Sequence, residues 1–131
     1  MKGRIPKEVL ESLLETIPVE FSILDENDKV LAWNKHETRI FKRPEGVIGR
    51  DVRNCHPKKS LEKVEQIIQE MKEGKRDVAE FHIDLPISNG KRKILIRYFA
   101  LRENKKYLGC LEVTQDITDI QKIKGEKRLL D

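Results

Sequence analysis

Three successive segments in the C-terminal half constrain the fold most. "DVAEFHIDL", "KRKILIRYFAL" and "YLGCLEVTQDI" are rich in β-branched and aromatic residues, and each reads as a strand. Ser88-Asn89-Gly90 separates the first pair, and the polar run from Arg102 to Lys106 separates the second. Connectors this short join antiparallel neighbours, because a parallel pair needs a long crossover. Apolar residues fall on both faces of the middle segment, from Ile94 to Tyr98, so both faces of the sheet call for cover.

The N-terminal half supplies two more strands and the cover. Residues 6 to 17 read as a helix whose stripe is Val9, Leu10, Leu13, Leu14 and Ile17, with Pro6 at its first position and Pro18 as its stop. "VEFSILDENDKVLAWN" reads as a hairpin around Asp25-Glu26-Asn27-Asp28, with Phe21, Ile23, Val30 and Ala32 or Leu31 facing inward. "NKHETRIFKRPEGVIGRDV" holds no sustained period, so short helical turns broken by Pro44, Gly46 and Gly49 are expected. Ser60 is expected to cap a helix running to Lys72, with Leu61, Val64, Ile67, Ile68 and Met71 buried and Gly74 closing it. The whole is an α+β domain: one five-stranded antiparallel sheet, a helical insert on one face and the N-terminal helix on the other.

At 131 residues the chain suits one core, and 37% apolar residues suffice to fill it. Charged residues make up 38%, which gives a dense ionic surface. The net charge of +4 is interleaved with acidic residues, and only 5% of the chain is aromatic, so a nucleic-acid surface is not expected. No apolar run is long enough to span a bilayer, and the first residues lack the apolar core of a signal peptide. Cys55 and Cys110 are well separated, which implies no disulfide framework and a reducing, cytoplasmic setting. The abrupt end at "KRLLD" is expected of a module cut from a longer chain.

Two stretches, in order and around five strands, resemble the PAS domain, a sensory module of bacterial signalling proteins. "VLAWNKHETRIFKRPEGVIGRDV" is similar to the PAS run of strand, Asn, short helix ending in Phe, then Ile-Gly-Arg, with Asn34, Phe41 and Gly49 in place. "YLGCLEVTQDIT" resembles the last PAS strand with its closing Asp-Ile-Thr. "GRDVRNCHPKKS" resembles more narrowly the PAS module of hemerythrin-like bacterial proteins, although Lys58 stands where that group has a second proline. The resemblance implies a PAS fold over residues 19–118, a flanking helix over 1–18 and an output helix over 119–131. It also implies that Asp116, Ile117 and Thr118 relay changes in the sheet to that last helix. Locally, Thr118 can cap the helix, and Ile117, Ile120 and Ile123 give it one apolar face.

No catalytic constellation is visible, so binding rather than catalysis is the expected activity. Adjacent Cys55 and His56 do not face one another as a nucleophilic pair should, and a Cys55 thiol enzyme is the enzymatic reading left to exclude. A metal site would have to recruit Cys55, His56, His82 or Cys110, without any Cys-x-x-Cys or His-x-x-x-His spacing. Of the family's cofactors, flavin is rejected because Asn54-Cys55 runs into His-Pro-Lys-Lys. Haem would have to use His56, since the helix from Ser60 to Gly74 holds no histidine. A small ligand between sheet and insert is expected to touch Trp33, Phe41, His56, Arg97 and Tyr98. Arg97, inside an apolar strand, needs a carboxylate, supplied by Glu80 or Glu112 across the sheet or by a ligand. The rival reading is a ligand-free homodimer packed through the N-terminal helix, with an effector or companion domain outside the chain in either case.

Overall fold

The computed structural model describes residues 1–130. Helix α1 (Lys7–Thr16) leads into strands β1 (Glu20–Asp25) and β2 (Val30–Trp33). Two 310 turns, Glu45–Val47 and Val52–Cys55, precede helix α2 (Lys58–Lys72), and strands β3 (Val78–Ile87), β4 (Gly90–Glu103) and β5 (Lys106–Asp116) follow. The five strands form one antiparallel sheet in the order β2-β1-β5-β4-β3. β5, last in sequence, therefore sits in the centre beside β1. No helix is long and apolar enough to cross a membrane among the described residues.

The pleat divides the sheet into two chemically different faces. Leu24, Cys110 and Ala100 share one row, and Ser22, Glu112, Tyr98 and Ala79 share the next, on the face that meets the insert. Met71, Ile94, Ile96, Tyr98 and Cys110 form the core there, with Phe41, Ile67 and Leu24 packed against it. Phe21, Ile23, Val113, Leu111, Arg97 and Phe99 lie on the outer face. Phe21, expected to face inward, is buried, but on the outer face; the positions of β1 that meet the insert are Glu20, Ser22 and Leu24. Strand alternation was right, but a single strand's hydrophobicity does not tell which face meets the helices.

Three further expectations change. α2 begins at Lys58 with Pro57 as its cap, and the Ser60 hydroxyl donates to the Pro57 carbonyl at 3.1 Å, inside the first turn. Pro57 presets the dihedral that a capping side chain would otherwise stabilise. α1 buries no residue, and its stripe is 37 to 50% exposed, so it does not seal the outer face. The expected C-terminal helix is one 310 turn, Ile120–Lys122. A short segment without a partner face cannot hold a helix, and Gly125 at φ 65° turns the chain away.

Asn34 joins the elements of the N-terminal half. Its Oδ1 accepts from the Phe21 amide at 2.7 Å, while its Nδ2 donates to the carbonyls of Leu14 at 2.7 Å and Val19 at 3.1 Å. It is 1% exposed, so no water can replace these bonds. Asn34→Leu should lower the unfolding free energy by about 2 kcal/mol or more. Urea denaturation measures it, and a loss below about 0.5 kcal/mol would contradict this role.

Candidate ligand chamber

A narrow recess of about 10 Å³ lies between the insert and the sheet. Leu24, Tyr98, Cys110 and Glu112 line it from the sheet, Val64 and Ile68 from α2, and Val52 and His56 from the segment before α2. That space admits about one water molecule. The walls are apolar except for three groups, the Tyr98 hydroxyl, the Glu112 carboxyl and the His56 imidazole. Tyr98 and His56 make no side-chain hydrogen bond within the described residues, and Glu112 makes one contact, to Arg43 Nη2 at 3.5 Å. Tyr98 and Glu112 are directly opposed across β4 and β5, so both side chains rise from neighbouring positions on the same face.

Behind Glu112 lies a buried polar network. Arg43 Nε donates to Ser22 Oγ at 2.9 Å, and Arg39 Nη2 reaches the same oxygen at 3.2 Å. Arg39 also donates to the carbonyls of Phe41, Phe21 and Asn34 at 3.0, 3.1 and 2.9 Å. Glu20 accepts the Ile40 and Phe41 amides at 2.8 and 3.3 Å and lies 3.9 Å from Arg39. Two arginines and two carboxylates are thus enclosed together, tying the irregular insert to β1 and β5.

Burial pushes the Glu112 carboxyl above the ordinary carboxylate range, against the opposing pull of Arg43 and Arg39. Burial, then the charge of Arg43, holds the His56 imidazole below its ordinary value. Burial also raises the Tyr98 hydroxyl, and pushes the Cys110 thiol up to about 12, so both stay protonated at neutral pH. A protonated thiol and an un-ionised phenol lining an apolar recess suit binding better than nucleophilic attack.

The expected ligand contacts do not all meet here. His56 and Tyr98 line the recess, and Phe41 packs against the same core. Trp33 does not reach it: its Nε1 donates to His36 Nδ1 at 3.1 Å, over a separate open surface hollow with Leu31, Ala32, Glu45 and Ile48. Arg97 is on the outer face and pairs with neither expected carboxylate. Glu112 belongs to the opposite face, and Glu80, though opposite in register, makes no ion pair with it. Arg97 instead lies 5.8 Å over the Phe99 ring, reaches Gln115 Oε1 at 3.5 Å and leaves its buried Nε without a partner. Arg39 and Arg43 were missed, and Glu112 was considered only as a partner for Arg97, because in a chain 38% charged nothing local marks a charged residue as buried.

The cofactor and metal readings meet the same geometry. His56, the residue a haem would need, lines this recess of about 10 Å³. Cys55 is outside the recess, with its Sγ directed to the Asp51 carbonyl at 3.7 Å. No three His, Cys, Asp or Glu side chains are grouped to hold a metal among the described residues, and His82 points away on the outer face.

At the far end of β5, Asp116 and Thr118 grip the start of β4. Arg92 Nε meets Asp116 Oδ2 at 2.7 Å and Arg92 Nη2 meets Asp119 Oδ2 at 3.3 Å. The Lys93 amide donates to Thr118 Oγ1 at 2.7 Å, and the Ile117 amide to the Lys93 carbonyl at 2.9 Å. Thr118 therefore caps no helix; its hydroxyl extends the β4–β5 ladder past the end of β5.

Comparison with known proteins agrees with this architecture. The PAS domain family matches residues 10–118. The chain is a PAS domain. A C-terminal domain from Streptococcus mutans is 25% identical, with a TM-score of 0.81 and coverage of 95% of this chain and 94% of that one. The PAS domain of a Colwellia psychrerythraea protein is 17% identical, TM-score 0.61, covering 86% of this chain and 97% of that one. VqmA bound to DPO is 21% identical, TM-score 0.59, with 85% of this chain and 57% of VqmA covered. No curated protein matches the sequence. PAS domains are sensory and signal-transduction modules, and the family match carries nothing about the narrower Cys-His-Pro group.

Because the folded-state pKa of His56 is depressed, its neutral form is favoured in the folded protein and the unfolded chain takes up the proton first. Its contribution is present above about pH 6.5 and is lost as pH falls below that value. His56→Gln should remove this loss, so the variant gains on the wild type between about pH 7.5 and about pH 5.5. Parallel pH profiles from denaturant melts would contradict it.

Proposed function

We propose that this PAS domain is a sensor whose ligand sits in the recess between α2 and the sheet and whose readout leaves through Asp116, Ile117 and Thr118. The recess, lined by His56, Tyr98 and Glu112 without mutual hydrogen bonds, carries this reading. Apolar walls with a few convergent polar groups are the usual form of a small-molecule site. Glu112 and Asp116 share β5 and one face of it, so a ligand that displaces Glu112 strains the segment gripped by Arg92. A ligand with different affinity for the two packings shifts the population between them. The DPO-bound VqmA is a fold relative that carries a small molecule. Of the sequence-derived contacts, His56 and Tyr98 line the recess and Phe41 packs against the same core, whereas Trp33 and Arg97 lie on other surfaces.

A ligand-free homodimer is the second reading. It is favoured by the exposed stripe of α1 (Val9, Leu10, Leu13, Leu14 and Ile17) beside an outer sheet face that carries Leu95, Phe99 and Leu111. A second copy of the chain offers the matching apolar surface. In this reading Leu13→Glu yields a monomer.

Native mass spectrometry distinguishes the two. A co-purifying small mass that is lost in His56→Ala supports the sensor, and a bare dimer that dissociates in Leu13→Glu supports the rival. A bare chain that takes up no small molecule from its host's extract counts against the sensor.

A further inference from the structure

We propose that the free edge of β3 is an interface for a second copy of this chain, joined strand to antiparallel strand with Phe81 at the two-fold axis, so that the two sheets continue as one. The interface uses neither α1 nor the recess.

The two edges of the sheet are built differently. β2 is four residues long, and its Val30 amide and carbonyl are already bonded to the Arg50 carbonyl at 3.0 Å and the Gly49 amide at 2.8 Å. β3 is ten residues long, pairs with β4 in one unbroken register from Val78 to Ile87 and has no strand beyond it. A long, regular edge is a template for a further strand unless charge, proline or a bulge blunts it. β3 carries no lysine, no arginine and no bulge, and its one proline, Pro86, stands near its end.

The phase of the β3–β4 ladder is fixed by the Ala100 amide, which donates to the Asp77 carbonyl at 2.9 Å. Antiparallel bonding alternates along a strand. The odd-numbered residues of β3 therefore bond to β4, and the amides and carbonyls of Val78, Glu80, His82 and Asp84 point to the free edge. Among the described residues no backbone group outside the strand bonds them. Pro86 falls on the same side, where its missing amide costs the β3–β4 ladder nothing.

Two copies joined along this edge place even-numbered residues opposite even-numbered ones, in registers centred on Glu80, Phe81, His82 or Ile83. Centring on Glu80 opposes that carboxylate to its own copy, and centring on His82 opposes it to Asp84; both set like charges face to face. Centring on Ile83 sets Glu80 against Pro86 and loses a donor. Centring on Phe81 sets Glu80 against His82 and Val78 against Asp84, which uses every free amide of the edge and leaves Pro86 outside. Asp84 is already held by Lys93 of its own chain at 2.6 Å, so it needs no charged partner, whereas Glu80 and His82 supply a carboxylate and an imidazole to one another. On the insert face the same register sets Phe81 against its copy and Ala79 against Ile83. Phe81 and Ile83 are each 38% exposed, and the Phe81 ring stands edge-on to Tyr98 at 5.6 Å, so the second copy extends the existing core.

The test uses the whole chain and follows amide hydrogen exchange by NMR at the dilute and concentrated ends of a sedimentation series. The amides of Val78, Glu80, His82 and Asp84 should slow about tenfold or more at the concentrated end, while those of Ala79, Phe81 and Ile83, already bonded to β4, hardly change. His82→Glu should weaken the dimer about tenfold, and adding Glu80→His should restore it, because the swap returns unlike partners to both pairs. A chain that stays monomeric, or a dimer whose four edge amides exchange as fast as the monomer's, overturns the inference. So does a swap that restores nothing, or a dimer that Leu13→Glu dissolves and His82→Glu does not. None of these outcomes bears on whether the recess takes a ligand.

Discussion

The enclosure of Arg39 and Arg43 between the insert and the sheet is the constraint on which the rest depends. The segment from Lys35 to Asp51 has almost no regular structure, so its backbone bonds must be met by side chains or water. Arg39 meets three of its own neighbourhood's carbonyls, and Glu20 meets two amides. Removing either charge would strand the other in a dry site, at a cost of about 3 kcal/mol or more. The insert is therefore held in one register on the sheet although it lacks a hydrophobic period of its own. The same network delivers Arg43 to Glu112, where its charge opposes the upward push of burial on that carboxyl.

A second anchor lies at the opposite side of the insert. Asp28, at φ 65° in the β1–β2 turn and 3% exposed, receives Arg53 at 3.1 Å and Lys72 at 2.9 Å. Those residues flank α2 in sequence, one before it and one at its end. Close packing also matters on the sheet. A side chain at Gly109 would collide with the Leu24 carbonyl, so β1 and β5 can approach only because that residue has none. Between the two anchors the helix is held firmly at Met71, which is fully buried, and lightly at its first turn. A rigid back and a lightly held front are what a sensor needs if a small occupant is to produce a directed movement.

Much of the fold was legible in the sequence because it is written in local patterns. The strand segments at 78–87, 90–103 and 106–116, the α2 stripe of Val64, Ile68 and Met71, and the Gly74 stop all follow from periodicity and turn chemistry. His56, singled out in an unusual tripeptide, and Tyr98, in an apolar strand, both line the recess. What could not be read depends on pairing. Whether Phe21 or Ser22 faces the insert is decided by the partners of β1, and whether Arg97 or Glu112 is inside is decided by the register of β4 with β5. Arg97 drew attention as a charge amid apolar neighbours, yet its strand places it on the outer face. Glu112, in an equally apolar strand, is the carboxylate that lines the recess. The final helix failed for a different reason: an amphipathic spacing of isoleucines is not enough where no surface receives it.

The difference between the two ends of α2 can be measured directly by methyl relaxation dispersion on the unliganded protein, which reports exchange between packings on the microsecond to millisecond scale. The expected result is exchange at Val52 and Val64, at the front of the recess, with Met71 and Ile94 quiet. Exchange centred on Met71, or uniform silence along the helix, would contradict a recess that opens at its front and is fixed at its back.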